Sequence, residues 1–146
     1  MALDDWFLKR AGQDDRRDVA RVFVALDGER IAGFSSLGAF SLGLDALPEE
    51  LSSKLPRYDA IPAALIGRLA RDERYRGEGV GEMLLTDAIN RALLAAKNLA
   101  IYAIIVDAKN VRAADFYRTY GSQPFPLDPE RLFVTAAKAA AAFGRE

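Results

Sequence analysis

The sequence predicts an α+β fold in which helices flank one mixed central β-sheet. Asp27-Gly28 stands between two strand-like runs, RVFVAL and IAGFSSL, which is a strong signal for a β-hairpin. The run AIYAIIVDA (100–108) is continuously apolar, as in a strand buried on both faces. One helical pattern precedes this run and another follows it, and this order places helices against a sheet.

Length and composition restrict the chemistry of the chain. At 146 residues, with 51% hydrophobic and 28% charged residues, we expect one globular domain spanning 1–146. The chain has no Cys and no His, which excludes disulfides, thiol nucleophiles, thiolate metal sites and a histidine-based triad. We therefore expect no metal site. A net charge of -1 gives no global indication of nucleic-acid binding.

The N-terminal residues, MALDDWFLKR, differ from a secretion signal because acidic residues replace the basic region and no apolar run follows. No stretch of 18 apolar residues occurs anywhere in the chain. We expect a cytoplasmic protein without a membrane partner.

The first half of the chain contains one helical and three strand patterns. A helix is predicted over 3–11, strands over 21–26 and 31–37, and a further strand over 63–72. Residues 38–62 are mixed and carry three prolines, and LPEELSSKL there predicts a helical turn or two.

The second half alternates helix and strand. A helix is predicted over 79–97, where Glu82, Thr86 and Asn90 form a narrow polar stripe and Asp87 precedes Arg91 by four residues. The strand of 100–108 follows, and then a helix capped by Asn110 and closed by Gly121. Prolines at 124, 126 and 129 interrupt the chain before a short strand over 131–135. The alanine-rich tail from 136 is either helical or frayed.

The stretch RYRGEGVGEMLL (74–85) places three glycines directly before a helix. Free N–H groups at a helix start, together with the helix dipole, suit a phosphate or pyrophosphate, and Arg76 can add a charge-assisted contact. The stretch is not a P-loop, because Glu82 and Met83 follow Gly81, and its G-x-G-x-G spacing departs from the dinucleotide fingerprint. From the glycines alone, a plain glycine turn into a helix is equally compatible.

Two motifs resemble the GNAT superfamily of acyl-CoA N-acyltransferases. ALIGRLARDERYRGEGVGEMLL (64–85) is similar to motif A, a strand followed by R/Q-x-x-G-x-G/A at a helix start. AIIVDA, and then the pattern N-x-x-A-x-x-F-Y beginning at Asn110 and followed by YG, resembles motif B. The motifs occur in order and at the expected separation, and the resemblance runs from about residue 3 to 133. It implies the GNAT fold for the mixed sheet.

A narrower resemblance is to the acetyltransferase toxins of bacterial toxin–antitoxin modules, which acetylate aminoacyl-tRNA and block translation. It rests on LDDWFLKRA, IAGFSSL, IGRLA and DPERLF in this order. It implies acetyl-CoA as co-substrate, aminoacyl-tRNA as acceptor, a cognate ribbon-helix-helix antitoxin and a homodimer. Such toxins have a strand before the LDxW segment, so the first N-terminal strand is expected to be missing here.

Two other functions remain open. The chain could be a GNAT enzyme that acts on a small amine or on a protein N-terminus. It could also be a truncated, non-catalytic homologue that binds acetyl-CoA or an antitoxin. Acetyl-CoA turnover separates the enzymes from the binder, and dependence on tRNA separates the two enzymes.

The resemblance implies which residues bind the cofactor. The main chain of Leu69, Ala70 and Arg71 would pair with the pantetheine and acetyl groups, although an ordinary buried strand also accounts for Leu69 and Ala70. The pyrophosphate would lie on the loop that comprises Arg76, Gly77, Glu78, Gly79, Val80 and Gly81. Asn110 would contact the CoA arm, and helix capping explains the same residue nearly as well.

Tyr117 is the catalytic residue that the resemblance implies, as the proton donor to the leaving thiolate. The alternative is a core aromatic on an amphipathic helix, for which Phe116 is better suited, and Tyr120 is a competing tyrosine one turn away. The lack of His suits an α-amino substrate, since its pKa of about 7.7–8.0 leaves a substantial neutral fraction without a strong base. Candidate cations for tRNA phosphates are Arg57, Arg68, Arg71, Arg74 and Arg112, and for any single one a solvated surface is the better explanation.

Overall fold

The structure is a computed structural model that describes residues 19–57, 60–107, 111–119 and 121–143. The helix predicted over 3–11 and the expected absence of a preceding strand lie outside these residues. Asn110 and Tyr120 lie outside them as well.

One six-stranded sheet organises the described residues, in the order β1-β2-β3-β4-β6-β5. Only the β3–β4 pair is parallel, so the predicted mixed sheet is confirmed. The strands are β1 (Arg21–Asp27), β2 (Arg30–Leu42), β3 (Ile61–Arg71), β4 (Ala103–Asp107), β5 (Gln123–Phe125) and β6 (Asp128–Thr135). The helices are α1 (Glu49–Ser52), α2 (Val80–Ala95), α3 (Val111–Arg118) and α4 (Ala136–Phe143), with 3₁₀ turns at Leu44–Ala46 and Glu73–Tyr75.

The predicted β1–β2 hairpin is confirmed, and its second strand is longer than the sequence pattern indicated. Gly28 takes the left-handed conformation that the tight turn requires, with φ of 64°. β2 continues to Leu42 because residues 38–42 pair with the first half of β3. That pairing is long-range, and it overrides the mixed local pattern that left these residues unassigned.

The C-terminal hairpin differs most from the sequence prediction. β5 was not predicted, and β6 begins at Asp128 instead of residue 131, because prolines at 124, 126 and 129 locally disfavour a strand. β5 is an edge strand, so the missing N–H of Pro124 interrupts no hydrogen-bonded ladder on the outer side of the strand. Among the described residues of β4, the pairing with β6 extends from Asp107 opposite Arg131 to Ala103 opposite Thr135, and Pro129 is not part of it. The alanine-rich tail is helical, as one of the two predicted alternatives required.

Two apolar layers cover the two faces of the sheet. On one face α2 packs through Leu85, Ala88 and Ile89, none of which is exposed, together with Tyr117 of α3. The other face carries Leu42, Leu47, Ile105, Phe125 and Phe133, partly beneath the segment that contains α1. Burying each large aliphatic side chain contributes roughly 1.5–3 kcal/mol, so these layers set the position of α2 on the sheet.

A bulge in β3 ends the contact between the two parallel strands. Within the described residues, β3 pairs with β4 over Ala63–Ile66 and Ala103–Val106, whereas it pairs with β2 along its whole length. The β2–β3 register shifts at Gly67, and there the Arg68 N–H donates to Ser36 Oγ at 3.0 Å. Residues 67–71 therefore form an open edge of β3, facing away from β2.

We predict that the two neighbouring serines of β2 respond differently to loss of the hydroxyl. Ser36→Ala should lower the free energy of unfolding by about 0.5–1.5 kcal/mol, because the partly buried Arg68 N–H loses its acceptor. Ser35 is fully buried and its Oγ has no hydrogen-bond partner in the described part of the chain, so Ser35→Ala should be neutral or stabilising. Urea unfolding of both variants measures this, and equal losses would contradict the role assigned to Ser36 Oγ.

Candidate active site

The open edge of β3 presents alternate residues to solvent. The N–H groups of Arg68 and Asp72 are directed to β2, since they bond to Ser36 Oγ and to the Ala32 carbonyl at 2.8 Å. Hydrogen-bonding direction alternates along a strand, so the main chain of Ala70 also faces β2. The main-chain groups of Leu69 and Arg71 face the cleft that β4 has left. Of the three residues predicted to pair with a cofactor, Leu69 and Arg71 therefore direct main-chain groups to the cleft, and Ala70 does not.

The glycine loop lies at the end of this open edge, between the 3₁₀ turn and α2. Gly79 is the N-cap of α2 with φ of 78°, and it provides no side chain to cap the helix. The first intrahelical hydrogen bond runs from the Met83 N–H to the Gly79 carbonyl at 3.0 Å, so the preceding N–H groups have no partner within the helix. A Cβ at Gly81 would meet nothing within 4 Å. The loop is therefore open to a ligand at the positive end of the helix dipole.

Ion pairs balance the positive charges around the loop. Arg74 binds both carboxylate oxygens of Asp72, at 3.1 Å and 2.9 Å, and this hydrogen bonding lowers the pKa of Asp72 to about 2. The Arg76 guanidinium lies 3.2 Å from the Glu73 carboxylate, with both side chains exposed. The binding of an anion here consequently depends more on main-chain N–H groups than on net positive charge. Arg76 can contact the anion after its ion pair with Glu73 is broken.

Tyr75 connects the loop to the β1–β2 hairpin, a contact that the sequence did not indicate. Its hydroxyl donates to Asp27 Oδ2 at 2.8 Å, and this hydrogen bond is the main cause of a raised pKa of Tyr75. The two residues are 48 positions apart, and no local pattern relates them.

Tyr117 lies deeper in the protein than its predicted catalytic role suggests. Its side chain is fully buried against α2, while Phe116, which the helical pattern favoured for the core, is only half-buried. The Tyr117 hydroxyl donates to the Ile104 carbonyl at 2.8 Å. Burial raises the pKa of Tyr117 well above its usual value near 10, and the main chain of Val134 opposes this in part.

Other predicted site residues receive no special geometry. Glu78 is exposed in the loop and Val80 is the first residue of α2. Within the described ranges, no group of three or more acidic residues is arranged to hold a metal ion.

Parallel strands that separate beside a glycine-rich helix start define the class of acyl-CoA N-acyltransferases with the GNAT fold. In agreement, a profile of the acetyltransferase (GNAT) domain matches residues 18–122. The chain belongs to this family and is an acetyltransferase.

Two curated relatives are similar over most of their length. A Sinorhizobium fredii protein named "Probable toxin TacT" is 35% identical over 144 residues, which cover 92% of this chain and 80% of the relative. A Mycobacterium tuberculosis protein named "tRNA-acetylating toxin" is 34% identical over 143 residues, covering 98% and 85%. The resemblance to acetyltransferase toxins is confirmed.

Solved structures show the same fold. A tyrosine-to-phenylalanine mutant of KacT is 25% identical with a TM-score of 0.86, over 97% of this chain and 86% of that chain. AtaT in complex with acetyl-methionyl-tRNAfMet is 26% identical with a TM-score of 0.84, over 97% and 86%. AtaTR bound with AcCoA is 26% identical with a TM-score of 0.79, over 97% and 85%.

We predict that Gly81→Ala stabilises the fold and weakens the binding of the cofactor. Alanine at this helical position should raise the free energy of unfolding by about 0.5–1 kcal/mol, because glycine costs conformational entropy and the space around it is open. The same methyl group should weaken the binding of acetyl-CoA if the pyrophosphate lies against this main chain. Thermal shift measures both effects, and a variant that binds acetyl-CoA like the wild type would place the pyrophosphate elsewhere.

We predict that Tyr117 stabilises the fold in a pH-dependent way. The folded-state pKa is raised above the unfolded value near 10, so the contribution is complete below about pH 10 and is lost as the pH rises towards the folded pKa. The stability difference between the wild type and Tyr117→Phe should therefore shrink between pH 9.5 and 11, roughly the range in which an unperturbed phenol ionises. A constant difference in urea unfolding across that range would contradict it.

Proposed function

We propose that the protein transfers the acetyl group of acetyl-CoA to the α-amino group of aminoacyl-tRNA and, as a toxin, blocks translation. The observation that carries this proposal is the cleft between β3 and β4 beside the glycine loop. The relative named "tRNA-acetylating toxin" and the AtaT complex with acetyl-methionyl-tRNAfMet support the choice of acceptor.

Acetyl-CoA is the acetyl donor in this proposal. The main chain of Leu69 and Arg71 would hold the pantetheine and acetyl end. The loop 76–81 would hold the pyrophosphate, through N–H groups other than those of Arg76 and Glu78, which donate to the Glu73 and Tyr75 carbonyls. Ala70 supports them by pairing with Phe34 of β2. Asn110, outside the described residues, remains a proposed contact of the CoA arm. The structure of AtaTR bound with AcCoA supports this donor.

The acceptor amine needs little assistance in this protein. An aminoacyl α-amino group has a pKa of about 8 or less, so a substantial fraction is neutral at pH 7 without a general base. This suits a chain that has no His. The reaction then forms a C–N bond and breaks the C–S bond: the amine nitrogen loses one proton to solvent, and the departing thiolate gains one.

Tyr117 is the proposed donor of that proton. Burial keeps the phenol protonated at physiological pH, but the raised pKa also makes it a weaker acid than a thiol with a pKa of about 8.5, so the hydroxyl must leave this buried position before it can donate. Its hydroxyl must turn away from the Ile104 carbonyl to reach the thiolate, a movement that costs one buried hydrogen bond, about 0.5–1.5 kcal/mol. We expect this rearrangement to accompany donor binding in the adjacent cleft.

The arginines nearest the cleft are the proposed contacts of the tRNA phosphates. Arg68 is exposed and Arg71 half-buried, both on the open edge of β3. Arg74 is a weaker candidate than the sequence indicated, because the charge of Asp72 compensates it. Arg57 is exposed beyond α1, and the side chain of Arg112 lies outside the described part.

The partners and location follow from the toxin family. We propose a cognate ribbon-helix-helix antitoxin, a homodimeric assembly and a cytoplasmic location. Among the described residues, no helix is long and apolar enough to span a membrane.

The test is labelled acetyl-CoA with total charged tRNA, the same tRNA after deacylation, and free amino acids. We predict that only charged tRNA is labelled, and that the rate falls with added salt as phosphate contacts weaken. Tyr117→Phe should lower kcat by about 10²–10⁴-fold with little change in the KM for acetyl-CoA. Tyr102→Phe, a half-buried tyrosine of the opposite layer, is the matched control and should react normally.

The outcomes separate substrate from mechanism. Free amino acids that react as well as charged tRNA would show that the acceptor is wrong. A Tyr117→Phe variant with the wild-type rate would show that another group protonates the thiolate.

A further inference from the structure

A cavity lies on the face of the sheet opposite to α2, between the end of β2 and the β5–β6 hairpin. Its volume is about 290 Å³. The lining is apolar at Phe40, Leu42 and Phe125, and Leu127 stands at the rim with 80% of its surface exposed. Phe125 is held by stacking on Phe133, with the ring centroids 4.6 Å apart. The apolar wall is therefore rigid, and none of the functions assigned above uses it.

Strand register places this cavity at the level where β3 and β4 separate. Phe40 pairs with Ala63, three residues before the last β3–β4 pair at Ile66. Arg131 pairs with Asp107, the first residue of β4 after that pair. Asp128 lies three residues beyond Arg131 along β6, and three residues of strand span about 10 Å. The lining thus extends to both sides of the point where the strands part, on the face away from the glycine loop.

Arg131 closes the cavity on the side of the cleft, and its charge is already compensated. Its Nε donates to Asp107 Oδ1 at 2.9 Å, with both side chains largely buried, and its guanidinium lies 5.1 Å from the centre of the Phe40 ring. The lining adds two carboxylates, Asp45 and Asp128. An anionic group entering the cavity would meet more negative than positive charge, whereas a neutral apolar group would meet aromatic and aliphatic walls.

We propose that this cavity receives the side chain of the aminoacyl group and favours large apolar amino acids over glycine and over anionic ones. The inference rests on the proposed function, and it deepens that function by naming the class of acceptor. An amine directed at the thioester from this face of the sheet has its Cα at the mouth of the cleft, and the side chain then extends over Phe40 and Phe125. A volume near the lower limit of ligand pockets, about 300 Å³, suits one amino-acid side chain and is small for a nucleotide.

The experiment measures kcat/KM for separately charged tRNAs that carry Leu, Met, Phe, Gly, Asp or Glu. We expect the three large apolar residues to exceed Gly, and Asp and Glu to react at least 10-fold more slowly than Leu. In Ala46→Leu, which adds bulk to the cavity lining, kcat/KM should fall about 10–200-fold for Leu, Met and Phe and change little for Gly. Ala95→Leu, exposed on α2 on the opposite face, is the matched control and should leave the ranking unchanged.

A second variant covers the case in which Ala46→Leu does not fold. Leu127→Asp lies on the exposed rim, so the fold should persist while kcat/KM for the apolar acceptors decreases. The inference is overturned if Asp- and Glu-tRNA react as fast as Leu-tRNA, or if the folded variants lower all acceptors equally. In those cases charged tRNA is still acetylated and the proposed function stands. If no charged tRNA is acetylated by the wild type, the proposed function fails and the inference fails with it.

Discussion

The separation of β3 from β4 is the constraint on which the site depends. Two parallel strands normally continue to pair while both remain extended, and every lost pair leaves main-chain groups without partners. Here one extra residue, Gly67, shifts β3 against β2, and Ser36 Oγ accepts the Arg68 N–H that the shift displaces. β3 therefore stays hydrogen-bonded to β2 on one side, while its pairing with β4 on the other side ends. The open edge, the position of the glycine loop at its end and the access from both faces all follow from this bulge.

Much of the fold could be predicted from local patterns. The hairpin turn at Asp27-Gly28, the apolar run of β4 and the glycines before α2 each express a backbone preference within a few residues. The parts that were missed depend on distant partners. Residues 38–42 became strand because β3 lies beside them, and β5 exists because Phe125 stacks on Phe133 and the outer edge of the strand tolerates Pro124.

The positions of the site residues were predicted more reliably than their roles. The glycine loop lies where the sequence placed it, at the start of a helix and at the end of a strand. The direction of each peptide group could not be predicted, because the bulge decides whether Ala70 or its neighbours face the cleft. Tyr117 shows the same limit: helical periodicity favoured Phe116 for the core, yet the tyrosine is the more buried of the two and bonds to the sheet below. Its hydroxyl provides both stability and the proposed acid, and one substitution changes both.

The glycines before α2 have a consequence for the lifetime of the protein. Without ligand, the first turn of this helix lacks a side-chain cap and includes a flexible residue, which lowers the free energy of local unfolding in the free protein. In the proposed complex a bound donor would supply the missing hydrogen bonds, and saturation at a hundred times the dissociation constant would add about 2.7 kcal/mol to the free energy of unfolding. Susceptibility to proteases should then depend on the concentration of acetyl-CoA: proteolysis should be faster when acetyl-CoA is scarce and slower when it is abundant.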